Sequence, residues 1–280
     1  MSVTDRAGQT ARQLGREADQ SDWVDRAGRI GLVTYGVMHL LIAWLALQLA
    51  FGDRSESASA QGALHELASQ PFGDVLVWAV AIGLFLLALW QGIEALFGHR
   101  DLPGGKRARK RLASGAKAVV YAALGVTGLK IAAGSSSGSS SSEKETDSWT
   151  ARLMDLPAGQ VLVGAVGLVI VGIGGYFVFR AWTEKYAEEL SAEGRSGKAG
   201  TAYLWFGKIG YTAKGIAFGI VGALFGYAAL THDPHKSGGL DQALTELLDQ
   251  PFGPYLLTAV AAGIGCYGLF CFARARHISR

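Results

Sequence analysis

The chain has 280 residues, of which 50% are hydrophobic and only 18% are charged, and the apolar residues stand in long blocks without charges. Such a composition excludes an ordinary soluble domain and predicts a protein that crosses a membrane several times. The formal net charge is only +3, and the basic residues cluster in a few segments without interleaved aromatic residues, so nucleic-acid binding is not indicated.

Residues 1–25 form a polar segment before the first apolar block. The segment lacks the apolar core of a signal peptide, and we therefore expect no cleavage. The first block, 30–51, carries no charge. As a helix it would rise about 33 Å, enough to cross a hydrocarbon core of roughly 30 Å.

Three further blocks are long enough to cross a membrane, and two more are shortened by lysines. Between Lys117 and Lys130 only 118–129 is uncharged, and the fifth block follows Lys214. Lysines near helix ends can extend toward the headgroups, which keeps both blocks as spans. The predicted spans are about 30–51, 74–96, 115–134, 158–180, 208–230 and 254–273.

A four-residue motif opens three of these spans. Gln70-Pro71-Phe72-Gly73 returns as Gln250-Pro251-Phe252-Gly253, and the middle copy, Leu156-Pro157-Ala158-Gly159, has Leu and Ala in place of Gln and Phe. The internal repeat predicts three tandem units, each a pair of helices. The predicted divisions are repeat 1 at 26–100, a basic linker at 101–112, repeat 2 at 113–186 with a flexible Gly/Ser outer loop at 134–148, a second linker at 187–203, and repeat 3 at 204–280.

A short amphipathic segment precedes each motif, at 63–67, 149–155 and 243–247. We expect these segments to be helices whose apolar side lies in the membrane interface.

The orientation is predicted from Lys and Arg residues near the span ends, most of which stand on the side that holds both termini. Both termini are therefore expected in the cytoplasm, with the protein in the bacterial plasma (inner) membrane. The densest basic group is also suited to bind anionic lipid headgroups, with an attraction of about 1 kcal/mol per basic residue. It consists of Lys106, Arg107, Arg109, Lys110 and Arg111. Membrane lipids are the predicted partners, and a homo-oligomer or a membrane-protein partner is left open.

Because each unit crosses twice, the three units share one orientation and are related by an axis along the membrane normal. The predicted fold is an all-α integral membrane protein with six transmembrane helices, arranged as three tandem hairpin repeats with pseudo-threefold symmetry. Four of the 39 glycines, Gly215, Gly219, Gly222 and Gly226, lie on one helical face. We expect close helix contact along this face, at Gly219 in particular.

The first unit opens with Arg29-Ile30-Gly31 and Tyr35-Gly36, and Lys208-Ile209-Gly210 repeats the beginning of this pattern in the third unit. Together with the Gln-Pro-Phe-Gly motif, the pattern resembles the bacterial membrane family called domain of unknown function 1206, over roughly residues 26–276. The resemblance implies a multi-pass membrane protein and carries no known activity.

Ionisable residues inside the spans are candidates for function. His39 lies near the bilayer centre and has no histidine at its repeat equivalents. We expect a neutral, hydrogen-bonded histidine, with a proton relay or ligand contact as the alternative. Tyr35, Tyr121 and Lys214 occupy equivalent positions. They either line the bundle axis together or lie near the interface with Lys214 extending toward the headgroups, and we expect the second arrangement.

A second equivalent set, Glu94, Arg180 and Arg274, stands at the ends of spans two, four and six. We expect Glu94 to pair with Arg26 or Arg29, which lie near the same interface. The two cysteines are five residues apart in the last span, where neither a disulfide nor a metal site fits. No catalytic, cofactor-binding or metal-binding residue is predicted.

These observations favour a structural, interaction or lipid-associating membrane component without catalysis of its own. The alternative is a small transporter or channel around the pseudo-threefold axis. A polar cavity on that axis would favour transport, and a closed axis or bound lipid would favour the first function.

Overall fold

The structure is a computed structural model that describes residues 22–52, 56–98, 103–134 and 149–277. These residues contain helices and no strand, and six of the helices are long and apolar enough to cross a membrane. The spanning helices are α1 (Asp22–Ala50), α3 (Gly73–Leu96), α4 (Gly104–Ala132), α6 (Gly159–Trp182), α7 (Gly197–Thr231) and α9 (Gly253–Arg276), and the short connectors are α2 (Ala60–Ser69), α5 (149–154) and α8 (Leu240–Leu248). The predicted fold of six spans in three hairpins is confirmed.

Three spanning helices begin earlier than predicted. α1 begins at Asp22, and α4 and α7 begin within the predicted linkers 101–112 and 187–203. The start of α4 is rich in Lys, Arg and Ala, which are strong helix formers, so the helix extends beyond its apolar block. We call the end where α1, α4 and α7 begin the inner end, and the opposite end the outer end.

The spanning helices form a ring that is closed mainly between units. α3 packs on α4, α6 packs on α7, and α9 returns to pack on α1. Within the first and third hairpins, α1 packs on α3 and α7 packs on α9. In the second hairpin, α4 and α6 make at most a marginal contact. The ring therefore has one gap, which lies inside the second hairpin.

Glycines explain which hairpins close. A Cβ at Gly31 of α1 would lie 2.6 Å from the Leu87 Cβ of α3, and a Cβ at Gly210 of α7 would lie 2.6 Å from the Tyr267 Cα of α9. The equivalent residue in α4 is Lys117, whose side chain does not fit such a close approach. The next turn repeats the pattern, with Gly28 against Trp90, Gly207 against Phe270, and Ser114 in the second unit.

The glycine stripe of α7 lies against α6, but only alternate members leave no room for a side chain. A Cβ at Gly215 or Gly222 would lie 2.7 Å from a carbonyl oxygen of α6, that of Gly174 or Gly167 respectively. A Cβ at Gly219 would meet nothing within 4 Å, although a Cβ at Gly174 would lie 2.9 Å from the backbone nitrogen of Gly219. The expected close helix contact at Gly219 is therefore present, but a side chain at this position would point into open space.

The connectors α2 and α8 pack their apolar sides onto the bundle. Ala63 and Leu64 of α2 and Leu244 of α8 are fully buried, in one cluster with Leu45 and Leu84 of the spanning helices. The expectation that these sides lie in the membrane interface is wrong, since the spanning helices cover them instead. The connectors close the outer end of the ring.

The repeated motif builds the same turn before each of α3, α6 and α9. Phe72, Ala158 and Phe252 have left-handed backbone conformations with φ of 63°, 62° and 62°. The next residue must be small, because a Cβ at Gly73 would collide with the carbonyl oxygen of Ala68. The middle unit makes this turn with different side chains, so the motif acts through the backbone.

Candidate functional site

A central cavity of about 550 Å³ lies inside the ring, between the middle of the bundle and the outer connectors. Its wall is largely apolar and is formed by residues of α1, α3, α4, α7 and α9. The wall includes Met38, Ile42, Leu84, Leu124, Phe218 and Phe225. The volume lies in the range of roughly 300–1,000 Å³ that is usual for ligand pockets.

The outer end of the cavity is a roof made by the connectors. Ser59 accepts a hydrogen bond from the backbone N–H of Gly62 and thereby caps α2. Ser237 donates to Thr150 Oγ1 at 2.8 Å and joins the connectors of the second and third units. These polar groups hold the roof together across the repeats.

The inner end of the cavity is a polar floor around Lys214. The Lys214 ammonium donates to the Tyr35 hydroxyl at 2.9 Å and lies 3.4 Å from His39 Nε2. It also lies 4.1 Å from the ring centroid of Tyr267 and 5.7 Å from that of Phe177, within range of cation–π attraction. The Lys214 ammonium therefore stands at the inner end of a largely apolar cavity, and the buried Asp241 carboxylate lines the opposite, outer end.

The hydrogen bonds of His39 involve both ring nitrogens. Its Nδ1 lies 2.9 Å from the Tyr35 carbonyl oxygen, which can only accept, so this contact favours the tautomer with a proton on Nδ1. Its Nε2 lies 3.4 Å from the Lys214 ammonium. The histidine is hydrogen-bonded as expected, and its neutral state stays a prediction.

The equivalent residues Tyr35, Tyr121 and Lys214 converge on the ring interior. The rings of Tyr35 and Tyr121 meet edge to face, with centroids 5.0 Å apart. The expectation that Lys214 extends toward the headgroups is wrong, because its ammonium points into the ring, where it donates to the Tyr35 hydroxyl and lines the cavity.

An ionic cluster lies at the inner end of the ring, centred on Glu189. Its carboxylate accepts from Arg180 at 2.6 Å and from the Tyr211 hydroxyl at 3.1 Å, and it lies 3.3 Å from Arg274 Nε. Burial alone would raise the pKa of the Glu189 carboxyl, but Arg274, Arg180 and Lys117 together lower it to about 2. The predicted set of Arg180 and Arg274 thus meets a carboxylate that sequence reasoning missed.

The segment that carries Glu189 packs against the inner ends of α6 and α7. Tyr186 and Leu190 are fully buried, and the Tyr186 hydroxyl donates to the Leu204 carbonyl oxygen at 2.7 Å. A partial signal in the sequence was available, since two arginines at equivalent positions in neighbouring units would favour a shared anion if the ring buries both.

The remaining candidates lie on the surface of the inner end. Glu94 is half-buried, and its pairing with Arg26 or Arg29, both exposed, stays a prediction. The basic group predicted to meet anionic lipids lies in the first turns of α4, and Arg111 donates to the Gly98 carbonyl oxygen at 3.1 Å. Among the described residues, no three His, Cys, Asp or Glu side chains form a group that could hold a metal ion.

The fold and its cavity define a class: a multi-pass helical membrane protein of three tandem hairpins. The family model "Domain of Unknown Function (DUF1206)" matches three times, at 30–98, 112–184 and 209–277. The chain belongs to this family.

The chain is also similar to "Uncharacterized protein YxxB" of Bacillus subtilis (strain 168), with 26% identity over 279 residues, which cover 98% of this chain and 96% of the relative. The comparison with solved structures found no significant match.

Proposed function

We propose that the protein is a non-catalytic, lipid-associating component of the bacterial plasma membrane, which holds an amphiphilic molecule in its central cavity. The observation that carries the proposal is an apolar cavity with one ammonium at its inner end. An acyl chain suits the wall, and an acidic group suits Lys214, because a cation in an apolar site gains most from a charged partner.

The floor of the cavity supports a binding role over catalysis. Both ring nitrogens of His39 are engaged, one by the Tyr35 carbonyl oxygen and one by Lys214. A general base needs a nitrogen within hydrogen-bonding reach of the proton that it removes. His39 has no nitrogen left for a substrate.

A second candidate function is transport. The Lys214 ammonium lines a cavity inside the ring, and the connectors cover the outer end of that cavity. A polar group in a cavity inside the bundle is typical of a transporter's substrate site. Transport would require the cavity to open to each side of the membrane in turn.

The proposal is tested by purifying the full chain in mild detergent and identifying co-purified lipid by native mass spectrometry and extraction. We expect an anionic amphiphile in a 1:1 complex with the wild-type protein. The Lys214→Met variant should purify without this amphiphile. Lys208→Met is the matched control on the same helix, because Lys208 pairs with Glu184 at 3.6 Å and does not line the cavity. Bound lipid of the same composition as the host membrane in all three proteins would refute the proposal. Anion flux into liposomes that Lys214→Met abolishes would favour transport.

A further inference from the structure

The gap in the ring gives the central cavity a side facing the bilayer. Five pairs of neighbouring spanning helices pack on each other, and the sixth pair, α4 and α6, does not. The cavity has wall residues on α4 but none on α6. The connectors cover its outer end and the Glu189 segment lies below its floor. The opening between α4 and α6 is therefore the route by which a lipid would reach the cavity.

A line of polar residues on α4 leads along this opening. Lys110, Ser114, Lys117 and Tyr121 are spaced by four, three and four residues, which places them on one face of the helix. The line extends about 16 Å from the inner end toward the cavity floor. At the end of this line nearest the cavity floor, the Tyr121 ring contacts Tyr35. The Tyr35 hydroxyl accepts a hydrogen bond from the Lys214 ammonium.

The basic residues along this path favour the binding of an anion. One carboxylate, Asp241, lines the outer end of the cavity, and Glu189 is the carboxylate at the inner end of the ring. That carboxylate is already bridged to Arg180 and Arg274. Lys117 is also exposed at the position where the other two units have glycine. The exposed Lys117 and the Lys214 ammonium, which contacts the Tyr35 hydroxyl and the His39 ring, favour an incoming acidic group.

We infer that an anionic amphiphile, a carboxylate or phosphate joined to an acyl chain, enters the central cavity sideways between α4 and α6. Its acidic group passes from Lys117 to Lys214, and its chain fills the apolar wall. The inference rests on the proposed function and adds to it the charge of the ligand and its route of entry.

The test uses the full chain in nanodiscs and a fatty acid that carries a photoactivatable diazirine on its chain. We expect cross-links to cavity-wall peptides that contain Leu124 and Phe218. Lys117→Met should slow this labelling about fivefold, the effect of one basic residue near a membrane surface. Lys130→Met, at the outer end of the same helix, should label at the wild-type rate.

Two further probes define the ligand. The methyl ester of the same fatty acid should label weakly, and Lys117→Met should not change its rate. Inorganic phosphate in excess should not compete, because it lacks the chain. Competition by phosphate would overturn the inference in favour of a small-anion site.

Different labelling results would contradict lateral entry and lipid binding in the cavity. Labelling of Lys117→Met at the wild-type rate, with labelling of Lys214→Met reduced, would overturn lateral entry and leave the cavity as a lipid site. Absence of cavity cross-links in the wild-type protein would overturn the proposed function itself. Lys117 is exposed, so its variant is expected to fold, and gel filtration checks this.

Discussion

Replacing Glu189 by glutamine tests whether the ionic cluster holds the inner end together. The substitution keeps the shape of the side chain and removes its charge. Arg180 and Arg274 then remain close together and mostly buried, without the carboxylate that they share. Breaking a buried ion pair by removing one partner costs about 3–5 kcal/mol, because the remaining charge stays uncompensated.

The pKa gives a second estimate of the same quantity. The pKa of the Glu189 carboxyl falls from an ordinary 4.5 to about 2 in the folded protein. A depressed folded-state pKa stabilises the protein above pH 4.5, and the stability is lost as the pH falls from there toward 2. The difference corresponds to about 3 kcal/mol, which agrees with the first estimate.

The assay is thermal unfolding of the detergent-solubilised protein between pH 7 and pH 3. At pH 7 we expect Glu189→Gln to lower the melting temperature by roughly 10 °C. It should also flatten the decline in stability below pH 4.5. Glu188→Gln, at the exposed neighbouring residue, is the control and should change little. Equal melting temperatures of the two variants would refute the reasoning.

Two other predictions concern packing and orientation. Gly222→Leu should lower the melting temperature and the yield of folded protein, because its side chain would meet the backbone of α6, whereas Gly219→Leu points into open space and should be tolerated. Equal sensitivity of the two sites would contradict the assigned face of α7. With both termini in the cytoplasm, an impermeant thiol reagent added to intact cells should label a cysteine at position 137 and not one at position 105, in a background without native cysteines. The reverse labelling would invert the topology.

Much of the fold was predictable from the sequence because it is repeated. The motif at Gln70 and Gln250 marks the start of a spanning helix, and the structure shows that its left-handed residue and following glycine make the same turn in all three units. The repeat thus recovered the weak span that contains Lys117, which hydropathy alone leaves short.

The site was less predictable, because it depends on how the helices are rotated in the ring. The repeat equivalence grouped Tyr35, Tyr121 and Lys214 correctly, but it does not state whether the shared face points to lipid or to the axis. The packing of α7 on α6 and α9 decides the matter for Lys214, because it turns this side chain toward Tyr35. Glu189 was missed because it lies in an irregular segment outside the repeated pattern.

The closure of the ring between its first and last helices has a consequence for biosynthesis. Gly36 of α1 and Gly268 of α9 face each other so closely that a Cβ at either would lie 2.9 Å from the carbonyl oxygen of the other. The ribosome makes α1 first and α9 last, so α1 enters the bilayer long before its main partner exists. Lipid tails must cover its glycine face until then. A chain terminated before α9 leaves that face without its partner helix.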